Sequence, residues 1–270
     1  MDSHQPALDR ELILAGISHE SRRWIKELVV HAEIDSTNTH LMTRAAVEDV
    51  DGVVCIADRQ TGGRGRRGRT WLTPSGGSIA ISFGRHVTVG IADIAPLSLV
   101  VGLAVANAMA RCGIDGISLK WPNDILLDGT KVGGILIEIA AISMPLKVIS
   151  GIGINVGGGS EVSSRLGFSV GDVRTRNSKI SRNDIVANLV DSFHEFASKF
   201  ELEGFPSMRA DWEALHAHQD RRVYLIGTNE TIEGIARGVT ASGELILDTD
   251  SGTRHFSGGE VSLRSDPGSA

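Results

Sequence analysis

Residues 63–68 read GRGRRG and satisfy G-x-G-x-x-G, so what surrounds them decides whether the chain opens on a parallel βαβ unit. That unit needs a strand before the glycines and a helix starting at the last of them, because the helix N-terminus holds the pyrophosphate. A strand is nearly in place: Val53-Val54-Cys55-Ile56-Ala57 is apolar and β-branched, with Asp58 to Gly62 intervening. The helix is missing. Pro74, Gly76 and Gly77 follow Arg69, and then Ser78-Ile79-Ala80-Ile81-Ser82-Phe83 alternates with period two. The segment is strand-loop-strand, and the loop carries Arg64, Arg66, Arg67 and Arg69, a charge that a dinucleotide-binding turn does not require.

Elsewhere the pattern mixes helices and strands. A short helix is predicted over Asp9 to Ala15, a strand around Trp24 to Ile34, and a helix over Thr39 to Val47 behind the N-cap formers Asp35-Ser36-Thr37-Asn38. Pro96 to Arg111 is apolar nearly all round, which predicts a buried helix stopping at Gly113. Strands over Ser118 to Leu127 and Lys131 to Ile139 are joined by the turn Asp128-Gly129, and a further strand spans Val148 to Val156. Ser181 and Asp184 have the spacing of a capping box for a helix reaching about Leu202. From about Arg221 short β-rich runs alternate with turns (Val223 to Ile226, Thr231 to Val239, Glu244 to Leu247, Thr253 to Phe256, Val261 to Leu263), the texture of a small all-β barrel. The expected division is 1–218 and 219–270, an α+β domain followed by that barrel.

Glycines allow close backbone approach, and guanidinium groups grip phosphate or carboxylate in two-pronged fashion. The arginine loop therefore reads as an anion site, against a nucleic-acid patch or a solvated loop. With 27 Lys+Arg against 33 Asp+Glu the chain has a formal charge of -6, so no global field draws in a polyanion. A small anion fits better. The N-terminus lacks the basic and apolar regions of a signal peptide, no run approaches a membrane span, and the two cysteines, Cys55 and Cys112, read as reduced core thiols. A cytoplasmic protein without membrane or nucleic-acid partners is expected. None of the nine histidines falls in a metal-ligand spacing, and His216 with His218 reads as a surface pair.

Lys120-Trp121-Pro122-Asn123-Asp124 and Lys131-Val132-Gly133-Gly134-Ile135 flank the predicted hairpin. Pro122 cannot donate to a ladder, so the strand is interrupted or lies at an edge there, turning Asn123 and Asp124 out of regular pairing. A lysine facing a polar-acidic pair beside an arginine loop can hold a phosphate and its magnesium; equally, these are turn and surface residues.

Taken in order, Asp35-Ser36-Thr37-Asn38, Gln60, the GRGRRG loop, KWPND at 120–124, KVGGI at 131–135 and Gly153-Ile154-Asn155 resemble the biotin protein ligases. The resemblance covers about residues 24 to 200, and the β-rich tail is similar to that family's C-terminal SH3-like domain. It implies a mixed β-sheet flanked by helices, of the kind shared with class II aminoacyl-tRNA synthetases. It also implies an ATP-dependent ligase that makes biotinyl-5′-AMP from biotin and MgATP and passes biotin to one lysine of the biotin carboxyl carrier domain of a carboxylase such as acetyl-CoA carboxylase. Residue by residue, it implies that Ser36, Thr37, Asn38 and Gln60 contact the biotin head and that Arg64, Gly65 and Arg66 close over biotin and the adenylate. Lys131 would bridge carboxylate and phosphate, so Lys131, Arg66 and Arg64 carry the catalysis. Arg67, Arg69, Trp71, Asn123, Asp124 and Asn155 are implied around ATP, with Asp124 a ligand for its Mg2+; for Trp71 plain core packing is the competing reading.

Repressor-type relatives carry a winged helix ahead of the catalytic part. Roughly 30 residues precede Asp35 here, too few for one, so operator binding is not expected. A lipoate protein ligase, sharing fold and adenylation chemistry, and a non-enzymatic DNA-binding repressor remain the alternatives at this stage.

Overall fold

The structure, a computed structural model, describes residues 7–227, 230–258 and 262–265; Val261, the predicted start of the last strand, lies outside them. The first part of the chain forms α1 (Arg10–Gly16), α2 (His19–Trp24), β1 (Glu27–Ile34), α3 (Thr37–Ala45), β2 (Val53–Gln60), β3 (Ser78–Val87) and α4 (Leu97–Arg111). Next come β4 (Ile117–Lys120), β5 (Asp124–Leu127), β6 (Thr130–Ala141), β7 (Leu146–Asn155), α5 (Gly159–Leu166), α6 (Arg182–Glu203) and α7 (Arg209–Ala214). The chain closes with β8 (Arg222–Ile226), β9 (Thr231–Val239), β10 (Leu245–Thr249), β11 (Gly252–Phe256) and β12 (Ser262–Arg264).

Seven strands form one mixed sheet in the order β1-β2-β3-β7-β6-β5-β4. β1 and β2 are parallel, and the remaining neighbours are antiparallel. Strands that read as unbroken apolar runs are covered on both faces. Val54, Ile56, Phe83 and Ile152 face α4 and α6, where Phe83 stacks on Phe193 with ring centroids 4.0 Å apart. Val53, Cys55 and Ile149 point the other way, onto Leu41 and Ala45 of α3.

Local signals set most boundaries, and the departures have identifiable causes. Ser36 is the N-cap of α3, its Oγ accepting from Thr39 N at 3.3 Å, so the helix starts two residues earlier than predicted. Trp24 closes a helix rather than opening a strand, because Ser18 caps α2. Ser181 is the N-cap of α6, yet its side chain makes no cap hydrogen bond, so the capping box does not form. The interruption expected at Pro122 is a full reversal at 121–123: β4 and β5 pair antiparallel, Lys120 opposite Asp124, so Asn123 lies outside the ladder as expected whereas Asp124 pairs within it, held also by Gly134 of β6. Asp128 and Gly129 then make the β5–β6 turn with φ of 50° and 79°.

β8 to β12 form an antiparallel sheet in the order β11-β10-β9-β8-β12, and among the described residues β11 and β12 do not pair with each other, so the expected barrel is not closed. This sheet shares its core with the larger one. Leu225, Val239 and Leu247 belong to the same buried cluster as Trp121 and Met208. The Trp121 indole donates to Gly243 O at 3.1 Å, and Val239 N donates to Glu213 Oε1 at 3.1 Å. Among the described residues no helix is long and apolar enough to cross a membrane.

Candidate active site

Every residue that the sequence singles out as a candidate site residue lines one cavity of about 670 Å3. Its closed end is polar. The N-terminus of α3 delivers Ser36, Thr37 and Asn38, each at most 4% exposed. Thr37 donates to Gln60 Oε1 from its backbone N–H at 2.8 Å and from its hydroxyl at 3.1 Å. Asn38 donates through Nδ2 to Glu138 Oε2 at 2.8 Å and to Leu136 O at 3.3 Å, while the Ser82 hydroxyl sits 2.6 Å from its Oδ1. These bonds fix a set of donors and acceptors in a buried recess, which suits a neutral ring presenting both N–H and C=O.

A trough of glycines on β6 and β7 forms the middle. A Cβ on Gly151 would stand 2.2 Å from Asn38 Oδ1, and one on Gly153 would stand 2.4 Å from the Trp71 indole. Trp71 thus lies flat against bare backbone. Its Nε1 is buried without a hydrogen-bond partner, as is Asn155 Oδ1, whose Nδ2 donates to Gly171 O at 3.2 Å. Two orphaned polar atoms in a cavity wall are sites for ligand hydrogen bonds.

The arginine loop folds over this trough. Trp71 N bonds Gly63 O at 2.9 Å and Gly65 N bonds Arg69 O at 2.7 Å, closing the loop on itself. The sequence pattern assigns the loop glycines to positive φ and close approach, and only part of that holds. Gly68 takes a φ of 70°, and a Cβ on Gly63 would meet Trp71 O at 2.4 Å. Gly65, by contrast, has a φ of -108°, and the left-handed residue is Arg67, φ 59°. Arg64 pairs with Glu138 at 3.2 Å, and Arg66 donates to Asn123 Oδ1 at 3.1 Å, so the loop is tied to β6 and to the β4–β5 turn.

Cations dominate the open end. Lys131 pairs with Asp124 and stands 5.8 Å from the Trp71 ring centroid. Lys120 lies 4.0 Å from the same carboxylate. Burial, only partly countered by Asp124, holds the Lys120 ammonium below its usual pKa, and burial lowers that of Arg66 as well. Arg264 of β12 reaches the cavity from the C-terminal sheet. Asp124 is the carboxylate among the described lining residues. Such a cavity favours a ligand with several negative charges.

Sequence reasoning missed Lys120, Ser82, Glu138, Gly151, His218 and Arg264. The alternation Gly151-Ile152-Gly153 was the available signal for the trough; nothing local marks Arg264. One histidine reading is corrected. His216 and His218 are 6% and 8% exposed rather than at the surface, because backbone bonds between Leu119 and both Leu215 and Ala217 pull this segment against β4. Burial, with the His218 charge adding, pushes His216 down to about 4, and burial, with Lys120 and Arg221 adding, does the same to His218. His31 and His40 each bring one ring nitrogen within 4.8 Å of Cys55 Sγ, a proximity that their sequence spacing does not show.

Comparison with known proteins matches these observations. Residues 30–155 match the Biotin/lipoate A/B protein ligase family, and residues 218–264 match the Biotin protein ligase C terminal domain. The chain is 35% identical over 267 residues to the Biotin--[acetyl-CoA-carboxylase] ligase of Mycobacterium tuberculosis, covering 96% of this chain and 97% of that one. It is 35% identical over 233 residues to the Bifunctional ligase/repressor BirA of Escherichia coli, covering 86% and 72%. Among solved structures, the biotin protein ligase from Aquifex aeolicus in complex with biotin and ATP superposes with a TM-score of 0.78 at 31% identity, covering 90% of this chain and 100% of that one.

Proposed function

The chain belongs to the biotin protein ligases, and on that premise we propose that it activates biotin with MgATP to biotinyl-5′-AMP and then biotinylates one lysine of the biotin carboxyl carrier domain of an acetyl-CoA or acyl-CoA carboxylase. The observation that carries the reading is the single cavity joining a polar recess, a glycine trough and a ring of cations. In this reading residues 1–218 form the catalytic domain, residues 219–270 the C-terminal domain, and the protein works in the cytoplasm where both substrates occur.

In the first step the biotin carboxylate attacks the α-phosphorus, the bond to pyrophosphate breaks, and pyrophosphate leaves. Ser36, Thr37, Asn38 and Gln60 hold the ureido ring. Two anions must meet, so Lys131, Arg64 and Arg66 contribute most when charge builds on the phosphorane. Arg67 and Arg69 face the phosphates, while the unpartnered Trp71 Nε1 and Asn155 Oδ1 are available to the nucleotide, and Asn123, bonded to Ile135 O at 2.8 Å, holds Arg66 beside it. Asp124, the carboxylate among the described lining residues, would hold magnesium in exchange for its pair with Lys131, since this hard cation is held by one or two carboxylates together with substrate phosphates. Bound there, the ion would neutralise phosphate charge. In the second step the neutral carrier amine attacks the acyl carbon, the nitrogen gives up one proton to solvent as the amide bond forms, and the acyl C–O bond breaks, AMP leaving with its electron pair. Until then the arginine loop keeps water from the mixed anhydride.

Mass spectrometry of a carrier domain incubated with the protein, biotin and MgATP tests this directly. A gain of one biotinyl group on one lysine is expected. No modification, or modification with lipoate in place of biotin, would overturn the assignment.

A further inference from the structure

Three side chains outside the cavity converge beneath α3. His31 lies on β1, Cys55 on β2 and His40 on α3 itself. In the parallel pair Val29 stands opposite Cys55 and His31 opposite Ala57, so His31 is one step along the same sheet face from Cys55. α3 lies over that face, with Leu41 packed in the cluster that holds Cys55, and His40 presents its ring edge-on to His31 at 5.2 Å between centroids. One ligand atom from each of the three lies within 4.8 Å of the other two.

Two further facts separate this from ordinary packing. His31 Nε2 is buried and without a hydrogen-bond partner among the described residues, a state that native interiors rarely tolerate. Arg44, the cation one turn beyond His40, acts on both His40 and Cys55, and its partner Glu27 at 2.7 Å, together with Asp35, opposes that charge at both groups.

We propose that His31, His40 and Cys55 form a binding site for a divalent metal ion of the zinc class, with a fourth position open to water at the sheet edge. Imidazole nitrogen and thiolate sulfur are both ligands that zinc takes, and three protein ligands leave its fourth position open. Tetrahedral zinc sets its ligand atoms about 3.5 Å apart, so shifts of about an ångström in the two half-buried imidazoles complete the site. β1 is an edge strand of the seven-stranded sheet, which gives the ion a path past His31 and His40 to the fully buried Cys55. On binding, the Cys55 S–H bond breaks, its proton passes to solvent and a sulfur–metal bond forms, with no change of oxidation state. A bound ion would clamp α3, which carries Ser36, Thr37 and Asn38 on its first turn, to β1 and β2.

The test uses the full chain with Cys112→Ser, stripped by a chelator and titrated with cobalt(II), with folding followed by circular dichroism. One equivalent should bind and give a thiolate-to-cobalt charge-transfer band that zinc removes. Cys55→Ser should abolish the band, with Cys55→Ala as the second variant should serine disturb the core. His31→Ala and His40→Ala should each weaken zinc binding by at least about 100-fold, more than the loss of an outer-shell partner. Absence of the band in the parent, its survival without Cys55, or zinc affinity indifferent to both histidines would overturn the site.

Discussion

Gly151→Ala tests the polar recess without replacing any residue proposed to bind ligand. Gly151 lies within β7, so alanine costs nothing in backbone conformation, but its Cβ would stand 2.2 Å from Asn38 Oδ1 and 2.8 Å from its Cγ. The Asn38 amide must swing away. It then forfeits its bonds to Glu138, Leu136 and Ser82. At about 1 kcal/mol net for each of these, less what the displaced amide recovers, stability falls by about 1–3 kcal/mol. Removing the hydrogen bond between this buried amide and biotin costs a similar amount, so the biotin Kd should rise about 10- to 100-fold. Calorimetric biotin titration reads the affinity and thermal melting the stability. Asn38→Ala should weaken biotin binding comparably, and the double variant should be no weaker than Asn38→Ala alone, because the clash has no partner there. Wild-type biotin affinity in Gly151→Ala, or effects that simply add in the double variant, would refute the reasoning.

The remaining expectations concern the cations and the buried histidines. Lys131→Ala should slow biotin-dependent pyrophosphate exchange by more than about 100-fold while the chain stays folded; a normal exchange rate would sink its role. Arg66→Gly removes the loop's bond to Asn123 and should release biotinyl-5′-AMP, so that bystander proteins become labelled on exposed lysines; labelling confined to the carrier would contradict the lid. Arg264→Ala should weaken binding of a non-hydrolysable ATP analogue about 10-fold in the presence of biotin, with biotin affinity unchanged, since it removes one charge-assisted hydrogen bond at the open end. Deleting the whole C-terminal sheet is a poorer test, because it bares Trp121, which is 1% exposed. His216 and His218 have folded-state values near 4, below the 6.5 of the free side chain, so the unfolded chain binds more protons between those limits. Stability is therefore complete above about pH 6.5 and falls as the pH drops toward 4, by on the order of 2 kcal/mol for each histidine at pH 5. His216→Gln should shrink the difference between urea melts at pH 7 and pH 5 by about that much.

The sequence by itself determined the features that depend on neighbours within a few residues. Period-two alternation after Gly77 excluded the parallel unit that GRGRRG resembles, the apolar run of α4 announced a buried helix, and Asp128-Gly129 placed the β5–β6 turn. The ordered motifs were enough to bring Ser36, Gln60, Arg66, Trp71, Asp124 and Lys131 together as one site, and all of them line one cavity. Tertiary structure decided what depends on partners far along the chain. Whether Ser118 to Leu127 stays one strand or turns back at Pro122 depends on how β5 is held by β6, in register with Gly133 and Gly134. That Gly151 must lack a side chain depends on Asn38, and that His216 is buried depends on Leu119, each a residue from a distant part of the chain. Arg264 enters the cavity because the C-terminal sheet shares the main core, and His31, His40 and Cys55 meet because a parallel strand pair lies under a helix. Hydrophobic periodicity reports which face a residue turns inward, whereas the identity of the group it meets there is fixed by sheet register and helix docking, which no local pattern carries.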